Sequence, residues 1–261
     1  MTYAKINQLD LYYEEHGEGE PLVLLHGGIH AGEMFAAILP QLSDGRRVIT
    51  VDLQGHGHTA DIDRPLSAEL TADDIAALIE HLGLEQADVM GYSLGGGVAL
   101  RTAIQHPHRV RRLVVVSVPF SRAGNFPEVI ATMDAFGPEA ADMIKQSPLY
   151  ELYERSAPRP EHWNTLIAKI GDSLKVDYDW SAEVAALEMP VMLVFADADS
   201  IRPDHVVEFY RLLGGGLRDA NWDGSLRPTA RLAVLPGTTH YDIFASPALP
   251  AAVTPFLDAE I

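Results

Sequence analysis

The sequence predicts an α/β protein built on a mostly parallel, twisted sheet flanked by helices, and three observations predict it. Short apolar runs alternate with helix-length segments, which implies parallel strands joined by helical crossovers. Val110 to Val118 is an almost unbroken β-branched run, the pattern of a central strand covered on both faces. Gly91-Tyr92-Ser93-Leu94-Gly95 lies between one apolar run and a small-residue stretch suited to a helix.

Taken in order, the chain opens on a hairpin. Tyr3–Ile6 and Leu9–Tyr13 flank Asn7-Gln8, and Gly17-Glu18-Gly19 ends the unit. Pro21–Leu25 is a short buried strand ending in His26-Gly27-Gly28, and Arg47–Leu53 is the next, ending in Gln54–Thr59. Leu70, Ile75, Leu78, Ile79 and Leu82 recur at helical spacing, and Gly83 stops that helix. Gln86–Tyr92 forms the strand before Ser93, and Leu94–Ile104 the helix after it, closed by His106-Pro107. Beyond Val118, strands recur at Pro190–Phe195 and Arg231–Leu235, with a helix from about Pro203 to Leu213 between them.

Two stretches break this rhythm. Phe120 to Leu187 holds no central strand and reads as helices interrupted at Pro127, Gly137, Pro148 and Pro158-Arg159-Pro160. Placed between two sheet strands, it predicts a helical cap over the carboxyl edge, where open α/β folds bind ligands. The expected organisation is a core in two parts, 1–119 and 188–261, around a cap at 120–187. Gly214 to Pro228 is a glycine-rich loop containing Trp222.

Composition narrows the function. The 261 residues are 47% hydrophobic and 21% charged, ordinary for one large folded domain. A net charge of −18 opposes binding to nucleic acid or anionic lipid and favours neutral or cationic small ligands. The absence of cysteine excludes disulfides, thiolate metal ligands and a cysteine nucleophile. No stretch approaches the ~20 apolar residues that span a bilayer, and the first residues lack a signal-peptide core, so a cytoplasmic protein without membrane contact is expected. Histidines and acids show no metal-ligand spacing, and no dinucleotide fingerprint appears, so neither metal nor cofactor is expected.

The pentad carries the chemistry. A serine hydroxyl becomes a useful nucleophile when a tight strand-to-helix turn thrusts it toward a base, and so tight a bend leaves no room for side chains two residues either side. The Leu94 amide is left unpaired at a helix start, where it can stabilise an oxyanion. Ser93 also reads more simply as a helix N-cap. An acid is available in Ala196-Asp197-Ala198-Asp199-Ser200 and a base in Pro236-Gly237-Thr238-Thr239-His240, each at the end of its own strand. The chain order is serine, acid, histidine.

These pieces resemble the α/β-hydrolase superfamily over nearly the whole chain: His26-Gly27-Gly28, Asp52-x-x-Gly55-x-Gly57-x-Thr59, the pentad, Ala196–Asp199 and Gly237–His240. The resemblance implies the α/β-hydrolase fold, with Ser93 as nucleophile, His240 as general base and Asp199, rather than Asp197, as orienting acid. It also implies an oxyanion hole from the Gly28 and Leu94 amides. Ala196 departs from the glycine usual at the start of the acid turn. Among the other histidines, His26 is expected to buttress the oxyanion loop, and His30 to contact substrate. Tyr92, Phe126, Met133 and Trp222 are further candidates for substrate binding, although packing onto the core explains most aromatics of the cap. A serine nucleophile argues against the epoxide-opening and dehalogenating branches, which the resemblance ties to a carboxylate.

The implied activity is a cofactor-independent serine hydrolase acting on a small-molecule carboxylic ester or lactone. The contexts of the pentad and of His240 are similar to small bacterial hydrolases, among them macrolide-ring-opening esterases, which makes a bulky macrocyclic lactone a candidate. Carbon–carbon bond hydrolases and perhydrolases share the framework. The rival from another class is a ligand-binding or signalling protein that keeps the fold.

Overall fold

The computed structural model describes residues 2–259. Eight strands form one sheet: β1 (Thr2–Ile6), β2 (Leu9–His16), β3 (Glu20–Leu25), β4 (Arg46–Val51), β5 (Ala87–Tyr92), β6 (Val110–Val116), β7 (Val191–Ala198) and β8 (Arg231–Thr239). Their order across the sheet is β1-β2-β4-β3-β5-β6-β7-β8. β1, β2 and β4 pair antiparallel, and every pairing from β4 through β8 is parallel. The opening hairpin turns at Asn7 and Gln8, both with positive φ, 45° and 74°. Two successive residues of that kind make the tight turn whose twist suits antiparallel strands.

Among the described residues, ten α-helices accompany the sheet: α1 (Leu39–Leu42), α2 (Ala68–His81), α3 (Leu94–Gln105), α4 (Pro127–Ala135), α5 (Ala140–Ile144), α6 (Pro148–Ser156), α7 (Trp163–Leu174), α8 (Ser181–Ala185), α9 (Pro203–Leu212) and α10 (Ala248–Leu257). Side chains alternate across each strand, so successive residues feed opposite layers. Val23, Leu25, Val89, Val115 and Phe195 pack under α2, α3 and α9. Leu22, Leu24, Met90, Val114 and Val194 pack with Phe35, Leu42 and the α10 residues Leu249, Val253 and Phe256. The central strands are therefore buried on both faces, which explains why they read as continuous apolar runs.

The α2 boundary follows its cap: the Ser67 side chain accepts the Leu70 N–H at 3.2 Å. Helix α10 was not expected from the sequence. Pro247, Pro250 and Pro255 punctuate that stretch, yet Pro255 lies in the last turn and the apolar face holds the helix against the sheet.

Between β6 and β7 the chain forms α4 to α8 with a small core of its own, where Trp163, Leu166, Ile167 and Ile170 pack with Ala141 and Tyr153. Of two isolated bridges, Ser121 with Asp179 joins its two ends and Asn125 with Ile201 ties it to the turn after β7. Lys169 Nζ of α7 fastens the excursion further, donating to Asp61 Oδ2 at 2.7 Å and to the carbonyls of Ile62 at 2.7 Å and Arg64 at 2.8 Å. Among the described residues, no helix is long and apolar enough to cross a membrane.

Candidate active site

Ser93 owes its position to a strained corner. Its φ is 51° and its ψ −119°, values that an L-residue adopts only where surroundings enforce them. The Ser93 amide continues the sheet ladder by donating to Val116 O at 3.0 Å, and the next residue already begins α3. The corner needs its glycines. A Cβ at Gly91 would stand 2.0 Å from Gly95 O, and one at Gly95 would stand 2.4 Å from His26 O. The Ser93 side chain makes no capping bond to α3; its Oγ lies instead 3.1 Å from His240 Nε2.

On the far side of that imidazole, His240 Nδ1 stands 3.0 Å from Asp199 Oδ1 and 3.1 Å from Ser200 Oγ. An ionised carboxylate only accepts, so Nδ1 carries the proton and Nε2 is left with a lone pair toward the serine hydroxyl. Tyr92 fixes the histidine backbone, donating its hydroxyl to His240 O at 2.5 Å while its ring packs 5.5 Å from the imidazole. Asp199 is the carboxylate against the histidine, and Asp197 has a different partner set. Asp197 accepts the Gly237 amide at 2.9 Å and the Thr238 amide at 3.1 Å, pinning the turn that carries His240. These backbone bonds, that from Gly237 first, hold the Asp197 carboxyl below the usual carboxylate value.

The loop after β3 supplies the remaining wall. His26 is wholly buried, accepting the Leu53 amide at Nε2 (3.0 Å) and donating from Nδ1 to Gly27 O (2.7 Å). Burial pushes its pKa down to about 3, so it stays neutral and acts as a strut. His30 donates from Nδ1 to Gly28 O at 2.8 Å and packs edge-on against Phe244 at 5.7 Å. Burial lowers His30 as well. Gly28 lies beside Leu94: a Cβ on Gly28 would be 3.6 Å from Leu94 Cδ1. Neither the Gly28 nor the Leu94 amide has an acceptor among the described residues. An oxyanion is stabilised by amides without other acceptors.

The other candidate contacts divide. Phe126 reaches the site region, since its amide donates to Ser200 O at 3.2 Å and its side chain is half-buried. Met133 lies half-buried on α4. Tyr92 is corrected: it is buried beneath the site and its hydroxyl is spent on the His240 carbonyl, so it supports the base instead of facing a ligand. Trp222 is also corrected: its side chain is 99% exposed on the loop before β8, without a wall behind it. Sequence reasoning missed Ser117, Ser200 and Phe244. The one available signal was polarity, a serine closing the valine-rich β6 run and another directly after the acid. Among the described residues, no three His, Asp or Glu side chains stand close enough to share a metal ion.

A mostly parallel sheet of this order, with a serine at a strained corner after β5, defines the α/β-hydrolase class. The chain belongs to that family: the profile described as alpha/beta hydrolase fold matches residues 20–160. One relative is the pimeloyl-[acyl-carrier protein] methyl ester esterase of Aeromonas hydrophila, 31% identical over 221 residues, covering 73% of this chain and 81% of that protein. Another is the 2-hydroxymuconate semialdehyde hydrolase of Pseudomonas sp. (strain CF600), 36% identical over 138 residues. That match covers 49% of this chain, which thus spans about half, 47%, of the relative's length. An α/β hydrolase enzyme from a Medee basin deep-sea metagenome library shares the fold with a TM-score of 0.78 at 18% identity, covering 100% of this chain and 98% of that one. Both relatives are hydrolases, one of them an esterase.

Proposed function

We propose that the protein hydrolyses a carboxylic ester or lactone through Ser93, His240 and Asp199. The observation that carries this reading is the continuous contact from Ser93 Oγ through the imidazole to the Asp199 carboxylate, 3.1 Å and 3.0 Å. Ser93 attacks the carbonyl carbon as its proton passes to His240 Nε2. The oxyanion is held by the Gly28 and Leu94 amides, and Asp199 steadies the imidazolium. Collapse breaks the carbon–oxygen bond, and the leaving alkoxide takes the proton from His240. Water then attacks the acyl-enzyme, its proton going to His240, and the acid and free Ser93 are released. The esterase relative supports the substrate class.

A second reading has its own support. The compound in the name of the Pseudomonas relative carries no ester, so its hydrolysis breaks a carbon–carbon bond. The same serine and histidine would serve there, with the semialdehyde carbonyl under attack and the departing carbon taking the proton from His240 as the carbon–carbon bond breaks.

The test is a fluorophosphonate probe followed by a product screen. Stoichiometric labelling at Ser93, turnover of a short nitrophenyl ester and its loss in Ser93→Ala support the hydrolase reading. Full turnover by a folded Ser93→Ala variant overturns it. Mass spectrometry of esters, lactones including a macrocyclic one, and vinylogous diketones then separates the two readings: each product gains one water, from a different bond.

A further inference from the structure

Asp199 is held far more completely than an acid that merely faces a histidine. Oδ1 receives His240 Nδ1 at 3.0 Å and the Ser200 amide at 2.8 Å. Oδ2 receives the Ala196 amide at 3.0 Å and the Ser117 hydroxyl at 2.6 Å. Three of these donors come from β7, its following turn, or the histidine itself. Ser117 arrives from a third strand end, that of β6, 82 residues away in sequence. It lies one residue past β6, its amide donating to Val194 O at 2.9 Å so that the ladder to β7 continues. Its φ is 52°, a region where glycine is the unstrained choice. A serine kept in that conformation, 1% exposed and aimed at a carboxylate, points to use of the hydroxyl.

We infer that Ser117 is a positioning residue: its hydroxyl fixes the outer oxygen of Asp199 and thereby sets the basicity of His240 toward Ser93. This rests on the triad reading above. The physical route is short. A donor on Oδ2 draws charge from the carboxylate, so the carboxylate holds the imidazolium proton less tightly. Without that donor, more charge stays near Nδ1 and the imidazolium becomes a weaker acid. Burial alone would raise the Asp199 carboxyl; the bonds from His240, Ser117 and the Ala196 amide bring it below the usual carboxylate value. The other titratable groups packed around the pair are already engaged. Tyr92 from β5 donates to His240 O, Asp197 from β7 accepts two amides, and Asp242 beyond β8 accepts the Thr239 amide. Tyr241 meets the imidazole only through its ring, 5.3 Å away.

The experiment compares Ser117→Ala and Ser117→Gly with the parent in the ester assay. Both lose the hydroxyl, but only glycine relaxes the backbone. If the hydroxyl acts through Asp199, both variants lose about tenfold in kcat. Their acid limb of kcat/KM also moves about half a pH unit upward, whatever their Tm. In an Asp199→Asn background, Ser117→Ala then costs nothing further, because the group it acts through is gone. An acid limb unmoved in both variants overturns the inference, as does a full additional loss on top of Asp199→Asn. Ser93→Ala in the same assay separates the two levels. An inactive Ser93→Ala beside parent-like Ser117 variants ends this inference alone, whereas an active Ser93→Ala ends the triad reading and this with it.

Discussion

Two strand-to-helix turns present groups to the same imidazole, and they do so by opposite means. The corner between β5 and α3 places Ser93 by backbone sterics: positive φ at the serine, and glycines whose replacement would drive a Cβ into a carbonyl oxygen 2.0 Å or 2.4 Å away. The turn after β7 has no positive φ between residues 196 and 201 and tolerates Ala196 at its start. There the side chain is placed by hydrogen bonds drawn from β6, from β7 and its turn, and from the histidine loop. The comparison shows that a position fixed by collision is written in five adjacent residues. A position fixed by bonding is spread over the fold.

Changes at the two turns should therefore fail differently. The largest effect is expected from Ser93→Ala, with kcat on a nitrophenyl ester falling about 10⁴- to 10⁶-fold while the circular dichroism spectrum is unchanged. Next comes Asp199→Asn, about 10⁴-fold down in kcat, because the amide stabilises the wrong imidazole tautomer. Asp197→Asn in the same assay should stay within about tenfold and show mainly as a lower Tm, since that carboxylate holds a loop. Equal losses in the two aspartate variants would break the distinction between them. Gly91→Ala should act on the fold, lowering Tm by about 10 °C or more in a thermal melt, because the clash is with backbone. A melt unchanged by that substitution would remove the steric half of the comparison.

The smallest expected effect is on pH dependence. His205 on α9, just past the acid turn, is buried against Phe120 with ring centroids 3.9 Å apart, and its Nε2 has no partner among the described residues. Burial pushes its pKa down to about 4. A depressed folded value means the unfolded chain takes up the proton first. The contribution is thus fully present above the ordinary histidine value of about 6.5 and is lost as pH falls toward about 4. His26 and His56, each lowered to about 3 by burial, act in the same direction. Urea midpoints at pH 7 and pH 5 should fall further apart in the parent than in His205→Phe. Identical differences would show that the region after the acid turn is no more acid-sensitive than the rest.

Much of the fold was legible before any coordinates. The hairpin about Asn7-Gln8, the two-faced central strands and the α2 and α3 helices follow from turn chemistry and periodicity. The reading was weaker where tertiary packing overrides local preference. Helix α10 forms through a proline-punctuated stretch because its apolar residues cover one face of the sheet. β8 extends to Thr239, past Pro236-Gly237, in partnership with β7. Trp222 shows the reverse, since a large aromatic in a glycine-rich loop reads as a contact and is in fact exposed.

By itself, the sequence determined the alternation of strands and helices and the serine thrust out at Gly91–Gly95, because periodic burial and steric exclusion act between near neighbours. Only the tertiary structure decided that Asp197 secures the histidine loop, that Tyr92 props the histidine 148 residues away, and that Ser117 reaches the acid. Hydrogen-bond partners so distant along the chain leave no spacing to read. They meet only because parallel strands end at a common edge.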